Sequence, residues 1–141
     1  MIGIDTTFLL ECEIAESPQH QRALAFLEVH SSRNALALCP QVLSEFIRVS
    51  TDPRRFERPL MMEEALEHSK RWWQAEQVRQ VQAEAAATNL FYDWMQQYKL
   101  GRKRILDTQL AATYYAAGIR HLVTSNSKDF ALFGVFEFLL P

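Results

Sequence analysis

Short apolar runs alternate with stretches of helical spacing along the chain, and that alternation leaves few folds open. Residues 1–5, 35–39, 122–124 and 135–139 are each long enough for a buried strand and too short for a core helix. Residues 77–81 read as a weaker strand. Helical patterns separate these runs. One begins at Phe8, and another follows Ser17-Pro18, with Ser as N-cap and Pro at the first helical position. Pro40 opens a third, with Val42, Phe46 and Val49 on one face, and Asp52-Pro53 ends it. Residues 61–74, 83–98 and 105–117 continue the series. Gly101 and Gly118 stand where helix C-caps belong, and Ser125-Asn126 turns into a short helix carrying Asp129 and Phe130. Strands alternating with helices predict an α/β fold with a parallel sheet of about five strands, covered on both faces.

A chain of 141 residues suits one domain with one core, spanning residues 1–141. Hydrophobic residues at 48% argue against disorder. The net charge of -2 excludes a strongly basic protein, so any nucleic-acid contact must come from a local patch. Cys12 and Cys39 form no CxxC pair and read as reduced thiols. No stretch approaches the roughly 18 apolar residues of a membrane span, and no signal peptide is visible. The expectation is a soluble cytoplasmic protein.

The candidate chemistry lies in the acids. Asp5 falls where the first strand ends, and in open α/β sheets ligands bind outside the carboxyl ends of strands. Glu45 shares a helix face with Val42 and Val49, so it points into an apolar stripe. Asp107 shares a face with Leu110, Ala111 and Tyr114, in the first helical turn where the dipole favours negative charge. Each alone has a plain alternative: a strand-end turn, a half-exposed helix residue, a helix-start residue. As a set, three acids at the ends of successive apolar elements, two of them on faces that should be dry, would raise one another's pKa. A divalent cation removes that cost, and oxygen-only ligands select Mg²⁺ or Mn²⁺ over zinc.

Residues 124–130, Thr-Ser-Asn-Ser-Lys-Asp-Phe, bring further oxygens to another strand end. Asn126 can ligate through its carbonyl, or hold a water or carboxylate in place. Asp129 is either a fourth acid or the cap of the short helix. Thr6 is either a site hydroxyl or a turn hydroxyl. Arg102-Lys103-Arg104 precedes Asp107 and suits a phosphodiester backbone, or is a solvated loop. Arg54, Arg55 and Arg58 read as a solvated or partner-facing loop. Met61, Met62, Trp72 and Trp73 read as core or a partner groove, and the four histidines show no metal-ligand spacing. Neither GxGxxG, GxxxxGK[ST] nor GxSxG occurs.

Taken together, Ile4-Asp5-Thr6, Ser44-Glu45-Phe46, the run from Leu106 to Thr113 and the run from Thr124 to Phe130 resemble PIN-domain proteins. Within them the chain is most similar to the VapC toxins of bacterial toxin–antitoxin pairs. The resemblance implies a three-layer α/β/α PIN domain acting as a Mg²⁺- or Mn²⁺-dependent endoribonuclease. It carries the family's three metal-binding acids onto Asp5, Glu45 and Asp107. The fourth acidic position falls at Asn126, or is met by Asp129. Thr7 departs from the Asn that usually follows Asp-Thr. The resemblance further implies an RNA substrate, a cognate antitoxin that blocks the site, and a homodimer. Rival readings are an RNA- or protein-binding module on the same fold with a degraded metal site, and a general RNA-processing nuclease. A phosphoryl-transfer enzyme with Asp5 as acceptor would want a second Asp where Thr7 stands.

Overall fold

A computed structural model describes residues Met1–Pro141. The elements in order are β1 (Ile2–Ile4), α1 (Thr6–Glu13), α2 (His20–Val29), β2 (Leu36–Leu38), α3 (Pro40–Ser50), α4 (Met62–Gln74) and β3 (Val78–Gln80). They continue with α5 (Ala85–Gln97), a 3-10 turn (Arg102–Arg104), α6 (Ile105–Ala116), β4 (His121–Val123), α7 (Lys128–Ala131) and β5 (Glu137–Leu139).

All five strands pair parallel, in the order β3-β2-β1-β4-β5. The chain winds outward from β1 to β3, crosses back over the sheet, and winds outward again through β4 to β5. Right-handed crossovers then put α1–α4 on one face and α5–α7 on the other. The packing agrees, with α1 against α2 and α3, α3 against α4, α5 against α6, and α6 against α7. The winding reverses between β1 and β4, and that is the point where such sheets open a crevice. No helix is long and apolar enough to cross a membrane.

The core is one cluster of 25 buried residues, drawn from both helical layers as well as the sheet. Strands β1, β2 and β4 are buried along nearly their whole length, so they read as continuous apolar runs without alternation. Edge strands β3 and β5 are partly exposed, which explains the weaker signal at residues 77–81. Tyr114 of α6 is fully buried, and its hydroxyl donates to the carbonyls of Ile4 (2.6 Å) and Ala37 (3.1 Å). It thereby ties α6 to the end of β1 and the middle of β2.

Two expected boundaries move. Ser17 and Pro18 lie in a turn closed by the Ser17 carbonyl, which accepts from the His20 N–H at 3.1 Å, so α2 starts at His20. The cap of α5 falls on Lys99, not on Gly101. Lys99 takes φ +50, with Lys99 N–H bonded to Gln96 O and Leu100 N–H to Met95 O. That is the Schellman pattern on a non-glycine residue. Gly118 does close α6 as expected, with φ +84 and the equivalent bonds to Tyr115 and Tyr114.

Gly3 is the close-approach position of the central strand. A Cβ there would lie 2.7 Å from Leu122 Cδ2 and 3.0 Å from Tyr114 Cδ2. Gly3→Ala should therefore destabilise the fold by about 1–3 kcal/mol, as overpacking does in a dense core. Urea unfolding checks this, and an unchanged midpoint would mean that α6 gives way without cost.

Candidate active site

The register of β1 on β4 pairs Ile4 with Val123, so the next residues, Asp5 and Thr124, leave the sheet side by side. Asp5 is 4% exposed and caps α1. Its Oδ1 accepts from the Thr7 backbone N–H and from the Thr7 hydroxyl (2.8 Å). Its Oδ2 accepts from the Thr124 hydroxyl, which in turn accepts the Asn126 N–H at 2.8 Å. Burial nevertheless pushes the Asp5 carboxyl above its ordinary range, outweighing these hydrogen bonds, and the charge of Glu45 adds to the rise.

The other acids arrive from separate elements. Glu45 projects from α3 and accepts the Thr6 hydroxyl at 3.0 Å, so the first turn of α1 holds it. Asp107 lies in the first turn of α6. Burial pushes its carboxyl up to about 6, the charges of Asp129, Glu45 and Asp5 push the same way, and Arg104 opposes them. Arg104 Nε lies 4.0 Å from Asp107 Oδ2, and the guanidinium also donates to the backbone carbonyl of Asp129. Asp129 Oδ2 accepts the Asn126 side-chain amide at 2.6 Å. Asn126 and Asp129 thus act as one pair beside the end of β4.

The basic cluster divides. Arg104 turns inward, while Arg102 and Lys103 remain exposed. Arg54 pairs with Asp52 at 3.2 Å, and the following backbone is pinned where Glu16 accepts the N–H groups of Glu57 and Arg58. The aromatic and methionine group also divides. Trp72 is buried and donates to Glu13 at 2.6 Å, Trp73 packs partly buried on the core, and Met61 and Met62 are exposed. His68 has a partner after all, the same Glu13 carboxylate.

The chain is 30% identical over 140 residues to "Ribonuclease VapC24" of Mycobacterium tuberculosis, covering 95% of this chain and 92% of that protein. It belongs to the VapC ribonuclease family. Solved structures with the same fold include M. tuberculosis VapC20, described as a Sarcin-Ricin loop cleaving toxin. That match has a TM-score of 0.72 at 17% identity, over 94% of this chain and 95% of that one. VapBC2 of Rickettsia felis, bound to a DNA fragment from its promoter, matches at TM-score 0.70 and 18% identity, over 99% and 98% of the two chains. FitAcB of Neisseria gonorrhoeae matches at 0.68 and 16%, over 99% and 97%. No protein-family profile matches the sequence.

For this VapC-family chain the donor chemistry fits a hard divalent cation: the candidate ligands are all oxygens, and Asp5 is buried without a cationic partner. As the side chains stand, no three acidic, histidine or cysteine groups form a ready-made metal cage. Asp5, Glu45 and Asp107 share one electrostatic neighbourhood without closing on one point. The sequence reading missed Glu11. It is 8% exposed on α1; burial pushes its carboxyl up, a hydrogen bond from Ser125 opposes the rise, and the charge of Asp5 adds to it. Its signal was its place four residues after Thr7, which puts both on one helix face.

Asp107 makes stability depend on pH. Its folded pKa of about 6 lies above the ordinary 3.8, so between those values the native chain holds a proton that the unfolded chain has lost. Stability must fall as pH rises through that window, and the cost is complete above it. With a chelator present, Asp107→Asn should therefore melt higher than the native chain at pH 7, and the gain should vanish near pH 4. Calorimetry across that range checks it; a gain independent of pH would show that the carboxyl is not displaced.

Proposed function

We propose that this protein is a metal-dependent endoribonuclease, the toxin of a toxin–antitoxin pair, hydrolysing RNA phosphodiester bonds with Mg²⁺ or Mn²⁺. One observation carries the reading. A buried Asp5 carboxylate, without a cation, meets the fields of Glu45 and Asp107 at the sheet's switch point, in a chain of a ribonuclease family. The neighbours described as toxin–antitoxin complexes, among them one from Klebsiella pneumoniae, support an antitoxin partner.

Asp5, Glu45 and Asp107 would hold the cation. When bound, it offsets their charge, lowers the pKa of the attacking water and stabilises charge on the phosphate. The protein's own part is placement. The hydroxyls of Thr7 and Thr124 fix both oxygens of Asp5, and Thr6 fixes Glu45. Arg104 holds the Asp129 backbone beside Asp107, and the Asn126 amide orients the Asp129 carboxylate. Arg102 and Lys103, exposed just ahead of α6, suit the phosphates flanking the scissile one. A carboxylate of the set takes the proton as water attacks phosphorus in line with the departing oxygen.

Asn126, at the fourth acidic position, favours the second reading, a binding module on the same fold. The two separate cleanly. Asp5→Asn keeps a good N-cap for α1, so the fold should survive. Cleavage of an RNA oligonucleotide with Mn²⁺ should fall on the order of 10³-fold, the several kcal/mol that a catalytic cation supplies. Wild-type cleavage by a purified, folded Asp5→Asn variant would defeat the nuclease assignment.

A further inference from the structure

Glu11 is the acid that the site described above leaves unexplained. It sits on α1 within one turn of Thr7, whose hydroxyl and N–H hold Asp5. The residue is 8% exposed, yet its Oε2 is buried with no hydrogen-bond partner. No Lys, Arg or His side chain pairs with it. The His20 ring reaches only the Glu11 backbone carbonyl, at 2.8 Å. Ser125, just past the end of β4, hydrogen-bonds the carboxylate, and the charge of Asp5, at the end of β1, acts on it. A hydroxyl orients a buried carboxylate without cancelling its charge, and a carboxylate oxygen left with no partner at all is costly; the usual remedy is a cation.

The far side of the same turn is short of charge. Asn126 is neutral, and its amide nitrogen is committed to Asp129. We propose that Glu11 is a further cation-holding residue of the acidic site, supplying from α1 the negative charge that position 126 lacks. This rests on the metal-dependent reading above. Glu11 meets Ser125, and Asn126 is the next residue in the chain, so a carboxylate at either position would bring its charge to the same turn. Oxygen ligation remains complete, and the preference for a hard divalent ion is unchanged.

Calorimetric titration of Mn²⁺ into the full chain, without RNA, tests this directly. Glu11→Gln should weaken Mn²⁺ binding about tenfold or more. The chelated variant should melt no lower than wild type, because an unpartnered charge has been removed. Adding Asn126→Asp to Glu11→Gln should restore the affinity. Wild-type affinity in Glu11→Gln, while Asp5→Asn loses binding, would overturn the role of Glu11 and leave the nuclease reading standing. A loss that Asn126→Asp does not restore would also overturn it, since packing and not charge would be at fault. If the wild-type chain itself binds no Mn²⁺, both readings fall together.

Discussion

The carboxylate of Asp5 is buried at the end of the central strand, and every hydrogen bond it receives comes from a neutral donor. Neutral donors orient a charge without cancelling it, so burial keeps the upper hand over the Asp5 carboxyl. The surrounding architecture follows from that imbalance. The register of β1 on β4 brings Thr124 alongside, the cap of α1 brings Thr7, and the winding reverses at this strand pair. Under the metal-dependent reading proposed above, a cation at the site would offset that cost.

Arg104 shows how the negative charge is contained in the meantime. It sits in the short turn that leads into α6, so its guanidinium can face Asp107 and the Asp129 carbonyl together. Its Nε is buried and unpartnered, which leaves it an electrostatic counterweight more than a closed salt bridge. The residues beside it, Arg102 and Lys103, stay in solvent. A run of three basic residues thus does two jobs, because a 3-10 turn points successive side chains in different directions.

Much of the fold is legible in the sequence because parallel strands buried on both faces leave apolar runs with no alternation to confuse them. Asp5 at the end of β1, Asp107 in the first turn of α6 and the helix face that carries Glu45 can be read the same way. What surrounds them cannot. The partner of Glu11 is Ser125, more than a hundred residues away, and α1 alone gives no reason to expect that meeting. The cap on Lys99 defeats a rule that looks for glycine, since the backbone bonds of the Schellman turn outweighed the cost of a side chain at φ +50. The inward turn of Arg104 and the pairing of His68 with Glu13 are likewise long-range facts. Local periodicity reports faces and lengths; which side chains meet across the sheet is decided by register and crossover.

The buried hydroxyl of Tyr114 has a mechanical meaning as well. Seven residues separate it from Asp107, about two helical turns on α6, and its bonds end on the carbonyl just before Asp5. Helix and central strand are therefore pinned together, with Asp5 beside the pin and Asp107 two turns out along the helix. A small slip of that pin would swing the two carboxylates apart by a lever action. Damage deep in the hydrophobic interior would then be felt first as slack in the pocket, before the globule itself loosened.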